Sequence, residues 1–271
     1  MYDLGIKNGT VYLNGGFFNC NIYIKNGVIT NITNEDLGCK VEENASGKLV
    51  LPGFIDPHVH FSLGVGSNIS SDDFYTGSIK GVLGGVTTYI DFLDPIKSVE
   101  EIEEAYKNRM KLAEKSVSDY AFHTTIANPK SSPEEIIKAG IEKAITSIKL
   151  FTTYADTDRR TYDKYIYDLL KLSKKYNVRV VIHAENDELV SDDKKVKVKD
   201  HEVSRPVVSE VTEVLKLAEM ARETGGLLYI VHVSCGTTVK RLKECFSKEL
   251  KSKQIILESC PHYYLFNSEI Y

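Results

Sequence analysis

From Leu49 onward, short apolar runs alternate with polar, amphipathic stretches, and this alternation restricts the fold more than any other feature of the chain. The strand candidates are residues 49 to 56, 86 to 92, 119 to 126, 144 to 151, 178 to 185, 227 to 234 and 254 to 260. Near-continuous apolar runs of this kind suit a parallel sheet whose outer face is covered by helices. Helices are predicted between them, at about 72 to 84, 98 to 117, 132 to 143, 161 to 176, 208 to 225 and 236 to 250. Ser132 and Ser98 are candidate caps, each with a glutamate three residues on (Glu135, Glu101), and Pro133 suits a first helical turn. A doubly wound open sheet and a (β/α)8 barrel both predict such alternation. The barrel differs in collecting polar groups from the C-terminal ends of many strands around one mouth. The polar residues discussed below fall in that way, so the fold class read here is α/β, a TIM-like (β/α)8 barrel that is incomplete at about seven strands.

Residues 1 to 49 follow another pattern, with Gly and Asn between short β-prone runs and no helical period. Asn26-Gly27, between "NIYIK" and "VITNI", marks a hairpin, because both residues accept the positive φ of a tight turn. The expected organisation is a small N-terminal β module over 1–49 and a barrel domain over 50–271.

Composition narrows the function. With 34 basic and 38 acidic residues the net charge is -4, which gives no bulk attraction for nucleic acid. No stretch reaches the length of a membrane span and no basic segment precedes an apolar signal core, so no membrane partner and a cytoplasmic location are expected. The five cysteines, Cys20, Cys39, Cys235, Cys245 and Cys260, lack C-x-x-C spacing and read as reduced thiols. Cys20 or Cys235 as a metal ligand ranks well below that.

Chemistry-bearing residues collect at the strand ends. His58 and His60 follow "GFID", and an H-x-H spacing in extended chain turns two imidazoles to one side, where they can share an ion. Two histidines hydrogen-bonded at a strand exit are the plain alternative, about as common. Lys149 lies in "AITSIKLF", where alternation puts Ser147, Lys149 and Phe151 on one face. Taken alone it reads as a buried stem with a snorkelling amine. Burial also leaves a lysine neutral, able to combine with carbon dioxide as a metal-bridging carbamate. His183 and His232 end the fifth and sixth strands. One such histidine is an ordinary core residue; four with a lysine are harder to dismiss, since each would otherwise be a desolvated polar group without a partner. The donor set suits zinc, with iron, manganese, cobalt and nickel as alternatives.

Asp56 is a candidate to fix the tautomer of a ligand imidazole, as are Glu185 and Asn186 beside His183. Tyr154 could hydrogen-bond a substrate oxygen, although a packing role is the default among 16 tyrosines. His123 and His262 are pocket or packing candidates, and Asp91 and Asp94 read as turn residues. The mixed-charge stretch 191 to 201 reads as a solvated loop or hairpin, and "KNRMKLAEK" as the exposed side of a helix.

The motifs "GFIDPHVHF", "GGVTTYIDF", "IKLFTTY", "IHAEN", "VHVS" and "ESCPHYYLF" together resemble the cyclic amidohydrolases, the group containing dihydropyrimidinase, hydantoinase, allantoinase and dihydroorotase. The resemblance implies hydrolysis of a ring C–N amide bond with two divalent metal ions, zinc first. By motif, His58 and His60 would bind one ion, His183 and His232 the other, and the Lys149 carbamate would bridge them. Tyr154 matches the substrate-binding tyrosine of the hydantoinase branch. Dihydroorotases tend to carry arginine just after the H-x-H, where Phe61 and Ser62 stand here, so an uncharged cyclic ureide or imide is the first expectation for a small-molecule partner. A homo-oligomer is also implied. The resemblance further places a catalytic aspartate on an eighth strand, and strands completing the β module, beyond Tyr271. Two expectations follow: a fragment of a hydrolase, or, if the chain is whole, an inactive structural or partner-binding relative.

Overall fold

The structure is a computed structural model and describes all residues except 192, 194 and 271. The chain divides into two compact units, Met1–Ile55 with Gly85–Thr87, and Asp56–Gly84 with Thr88–Tyr271.

The first unit is a sheet of β1 (Tyr2–Leu13), β2 (Gly16–Lys25), β3 (Val28–Thr33), β4 (Cys39–Asn44) and β5 (Leu49–Val50), in the order β3-β2-β1-β4 with β5 also on β1. Asn26 and Gly27 turn the β2–β3 hairpin at φ 53° and 75°, and Asn14 and Gly15 turn β1 into β2 at 49° and 89°. Such pairs of positive φ match the strands' right-handed twist. Tyr23 is fully buried, its ring against that of Tyr2 and its hydroxyl donating to the Glu35 carbonyl and accepting the Leu37 N–H.

The predicted strand 49 to 56 is two strands. Leu49–Val50 pairs with β1, and Phe54–Asp56, here β6, opens the second sheet. Pro52 lies between them, and proline offers no N–H to continue a ladder.

The second unit begins, after a two-residue hairpin of β7 (Gly64–Val65) and β8 (Asn68–Ile69), with α1 (Phe74–Leu83) and then alternates: β9 (Val86–Phe92), α2 (Ile102–Ala113), β10 (Asp119–Thr125), α3 (Pro133–Glu142), β11 (Ser147–Phe151), α4 (Asp163–Tyr176) and β12 (Arg179–His183). It continues through α5 (His201–Ser204), α6 (Val207–Thr224), β13 (Leu228–Ile230), α7 (Gly236–Cys245), α8 (Ser247–Lys251), β14 (Ile255–Leu257) and α9 (Pro261–Leu265). The sheet order is β6-β9-β10-β11-β12-β13-β14, each crossover advancing by one strand, and the pairings from β9 to β14 are parallel. A sheet that always advances the same way curls rather than doubling back. Its ends approach: His58, just past β6, bonds Glu258, just past β14, at 2.8 Å. The architecture is an incomplete (β/α) barrel with a separate N-terminal sheet.

One face of the strands carries Ile148, Leu150, Val180, Ile182, Leu228 and Ile230 at 2% exposure or less, and on the other face Lys149 and Val181 are at 2% and 3%. Outside them pack Ile166, Leu169 and Leu170 of α4 and Val214, Leu217 and Ala218 of α6. Each of the valine, leucine and isoleucine side chains contributes about 1.5–3 kcal/mol by leaving water. Ser132 and Glu135 form a reciprocal capping box on α3, whereas Ser98 makes no side-chain cap and the helix after it opens with a 3₁₀ turn at Val99–Glu101. Predicted helix 236 to 250 breaks at Phe246 into α7 and α8. Gly226 passes so close to α4 that a Cβ there would stand 2.5 Å from the Leu170 carbonyl oxygen.

Two readings are corrected. Arg109, assigned to an exposed helix side, is 2% exposed, and Asp91, assigned to a turn, is fully buried within β9. The stretch 191 to 201 contains 192 and 194, which lie outside the described residues; its last part is a 3₁₀ turn at Val198–Asp200 running into α5.

Candidate active site

His58 and His60 sit beyond the end of β6 in irregular chain, so strand alternation does not orient them. The backbone there is fixed by a buried clamp. Asp91 accepts the Phe61 N–H at 3.2 Å, while Arg109, reaching in from α2, donates to the carbonyls of Phe61 and Phe92, both at 2.8 Å. The Phe61 ring anchors the same residue between Phe74 and Tyr89. The two imidazoles meet with their Nε2 atoms 3.2 Å apart.

The second pair comes from neighbouring strands. His183 closes β12, His232 lies two residues past β13, and His183 Nδ1 is 3.1 Å from His232 Nε2. His232 has φ 37° and Tyr154 has φ 70°. Left-handed conformations cost of order 1–3 kcal/mol in residues with a side chain, and both lie at this cluster. The pairs are adjacent, with the His58 and His232 ring centroids 5.5 Å apart.

Lys149 lies in β11, 2% exposed. Its amine is 5.2 Å from the Phe151 ring centroid and 5.7 Å from that of Phe92, and it makes no hydrogen bond or ion pair among the described residues. Burial pulls its pKa down to about 7, so much of it is neutral near physiological pH. Burial also lowers the imidazoles, His60 to about 3, His123 to about 4 and His232 to about 2, with the neighbouring histidines and Lys149 adding to the effect. These rings are neutral at pH 7 and can offer lone pairs. Phe92, 3% exposed, stacks on His60 and lies within 5 Å of the His58 and His123 ring centres, forming an apolar floor.

Two carboxylates border the cluster. Glu258 Oε1 is 2.8 Å from His58 Nδ1, and Glu185 Oε2 is 2.6 Å from His183 Nε2. Burial opposes their ionisation, but the hydrogen bonds from His58 and His183 hold both below the usual glutamate range. Asp56 bonds no imidazole among the described residues: it accepts the His58 backbone N–H at 3.1 Å, and the carboxylate on that ring is Glu258 instead. Asn186 caps the short helix at Asp187–Leu189 through the Glu188 N–H. Of the two candidates beside His183, it is Glu185 that reaches the ring. Tyr154 lies against His183, ring centroids 5.2 Å apart, with the Arg205 guanidinium 5.2 Å from the centre of the tyrosine ring, and burial raises its pKa.

His123 bonds Ser147 Oγ at 2.6 Å and the Pro57 carbonyl at 2.9 Å, which satisfies both ring nitrogens. His262 is exposed on α9, and Asp94 is exposed, 3.5 Å from Arg109. All five cysteines are free.

Two nitrogens on one tetrahedral zinc, each at about 2.05 Å, stand about 3.3 Å apart. The separations of 3.2 and 3.1 Å within the two pairs fit that spacing. Among the described residues no three His, Cys, Asp or Glu side chains form a metal-binding group.

Among known proteins, the Amidohydrolase family matches residues 49–256. The D-hydantoinase of Geobacillus stearothermophilus is 32% identical over 269 residues, covering 95% of this chain and 56% of the relative. The dihydropyrimidinase of Dictyostelium discoideum is 33% identical over 242 residues, covering 84% of this chain and 47% of the relative. The solved D-hydantoinase (dihydropyrimidinase) from Thermus sp. superposes with a TM-score of 0.86 at 30% identity, over 98% of this chain and 59% of that one. The chain thus spans about half the length of the curated relatives it matches.

Proposed function

Since the chain belongs to the amidohydrolase family, we propose that it carries a site for metal-dependent hydrolysis of the ring C–N amide bond of a dihydropyrimidine, hydantoin or related uncharged ureide. The observation that carries this reading is the buried, unpartnered Lys149 amine amid two imidazole pairs at the ends of separate strands. His58 with His60, and His183 with His232, would hold two divalent ions, zinc first, and a carbamate on Lys149 would join them. When bound, such ions would polarise the ring carbonyl and make a shared water acidic enough to attack near neutral pH.

The protein's own groups have separate tasks. Lys149 forms the carbamate when its neutral nitrogen bonds to the carbon of carbon dioxide and releases one proton. Phe92 and Phe151 favour this by keeping the amine out of water. Tyr154 stays protonated, because burial raises its pKa, and donates to the carbonyl oxygen as negative charge develops there. Phe61 is turned into the core, so the position after the H-x-H offers no charge to a substrate carboxylate. Arg205 near Tyr154 is paired with Glu185. Both features favour an uncharged ring over dihydroorotate. The proposed active form is a homo-oligomer in the cytoplasm. Among the described residues no helix is long and apolar enough to cross a membrane.

A second reading, an inactive partner-binding relative, is favoured by one observation: the carboxylates that border the imidazoles, Glu185 and Glu258, are both engaged by histidines. Neither is free to carry a proton from water to the leaving nitrogen. Assay of the purified protein with dihydrouracil, hydantoin, allantoin and dihydroorotate, with and without added zinc, separates the readings. Zinc-dependent ring opening of dihydrouracil or hydantoin is expected. No turnover of any of the four by zinc-loaded protein would overturn the hydrolase reading.

A further inference from the structure

The chain leaving β11 doubles back on its own strand. The Thr161 N–H bonds the Phe151 carbonyl at 2.8 Å, and Arg160 bridges to Phe151. Tyr154 opens the turn between them at φ 70°, and Asp158 closes its 3₁₀ step at φ 58°. Side chains disfavour that left-handed region, so a turn with two such residues persists only where its surroundings hold it. On the side facing the next strand, the holding group is a single carboxylate. Asp187 Oδ1 accepts the Thr153 hydroxyl at 3.0 Å and the Ala155 N–H at 3.4 Å, and Oδ2 accepts from Arg160 at 2.9 Å. The residue before Tyr154, the residue after it and the far end of the turn thus all bond one side chain. We propose that Asp187, with Arg160, is a positioning residue for Tyr154, holding the tyrosine against His183 and so setting how its hydroxyl reaches a substrate carbonyl.

The two flanks of the turn are held unequally. Thr153 is 1% exposed, and the side chains of Asp187 and Arg160 are 16% and 21% exposed. An isolated exposed ion pair is worth little, whereas a sheltered carboxylate shared by a hydroxyl, an amide N–H and a guanidinium fixes geometry. Asp187 is itself anchored. It begins the short helix that Asn186 caps through the Glu188 N–H, and the Asn186 N–H bonds the Ser209 carbonyl of α6 at 3.1 Å. At the tip of the turn, Asp158 bonds Lys97 and Asn128 from the loops after β9 and β10. That pairing lies at the surface, with the Asp158 and Lys97 side chains 53% and 41% exposed. The turn is therefore held firmly beside Tyr154 and loosely at its tip.

The inference rests on the proposed function for what Tyr154 does, not for how it is held, and the test keeps the two apart. In the full chain without added metal, an NMR cross-peak between the ring protons of Tyr154 and His183 is expected, since the centroids are 5.2 Å apart. It should vanish in Asp187→Ala and persist in Asp187→Asn, which keeps an oxygen for Thr153 and Ala155. It should also persist in Asp158→Ala. Thr153→Val removes one of the three bonds and should weaken the cross-peak, which serves if Asp187→Ala does not fold. With zinc added, Asp187→Ala should lower kcat for hydantoin about tenfold to a hundredfold with KM nearly unchanged, the effect of a misplaced group. In a Tyr154→Phe background the same substitution should lower kcat no further, because a residue acting through the tyrosine hydroxyl has nothing left to place. No cross-peak in the unsubstituted chain, an unchanged one in Asp187→Ala, an equal loss in Asp158→Ala, or the same fall in kcat in both backgrounds overturns the proposal. The expected cross-peaks without any turnover would leave this inference standing and remove only the hydrolase reading.

Discussion

The two imidazole pairs reach almost the same nitrogen separation, 3.2 and 3.1 Å, by different means. His58 and His60 are two residues apart in irregular chain, and what orients them is a buried polar clamp from elsewhere: Asp91 and Arg109 on the backbone of Phe61. His183 and His232 are 49 residues apart, and their meeting is set by the register of β12 on β13, where Ile182 pairs with Ile230. A local motif needs distant support, while a distant pair needs only its sheet. The first pair should therefore be lost through its clamp, and the second should tolerate changes around it as long as the strands pair.

Arg109→Met tests the first half of that contrast and carries the largest expected effect on stability. It leaves the carbonyls of Phe61 and Phe92 without their donor in a region that water does not reach, and removes the cation that favours the ionised form of the buried Asp91 carboxyl. Leaving two buried carbonyls without their charged donor costs about 1–3 kcal/mol each. Urea unfolding measures it, and a loss under about 1 kcal/mol would show that the clamp is not what holds the H-x-H segment. Thr152→Val tests the second half. Thr152 Oγ bonds the carbonyls of His183 and Glu185 and accepts the Glu185 N–H, steadying the chain as it leaves β12. Its removal should cost about 1–2 kcal/mol, the typical worth of such hydrogen bonds, with zinc binding changed little because the strand register survives. A loss of zinc binding as large as that in Arg109→Met would erase the distinction between the pairs.

The sequence made the alternating strands legible because their apolar runs are long and uninterrupted, and it made His58, His60, Lys149, His183 and His232 legible as candidates because each stands at or near the end of such a run. The break at Pro52 was hidden inside one of those runs: which of two sheets takes Leu49–Val50 depends on pairing with β1, a partner some 40 residues away. Arg109 looked like one more charge on an amphipathic helix. Nothing in the helical period distinguishes a cation on the solvent side from one that turns inward to donate to the carbonyls of Phe61 and Phe92. Glu258 was read only as part of the strand "QIILESC", since its role depends on the sheet curling until its last strand end meets the segment after its first. Asp56 is a candidate in the sequence because it stands two residues from His58, but that proximity produces a backbone bond and no contact with the ring among the described residues. Phe92 gave no signal beyond being apolar, although it floors the cluster.

The most direct test is a zinc titration of the chain in bicarbonate labelled with ¹³C, followed by metal analysis and NMR, in parallel with Lys149→Ala. The account predicts two tightly held ions per chain together with a carbamate carbon signal, and the loss of that signal and of one or both ions in the variant. Two ions held as tightly by Lys149→Ala, or a zinc-loaded chain with no carbamate, would contradict it.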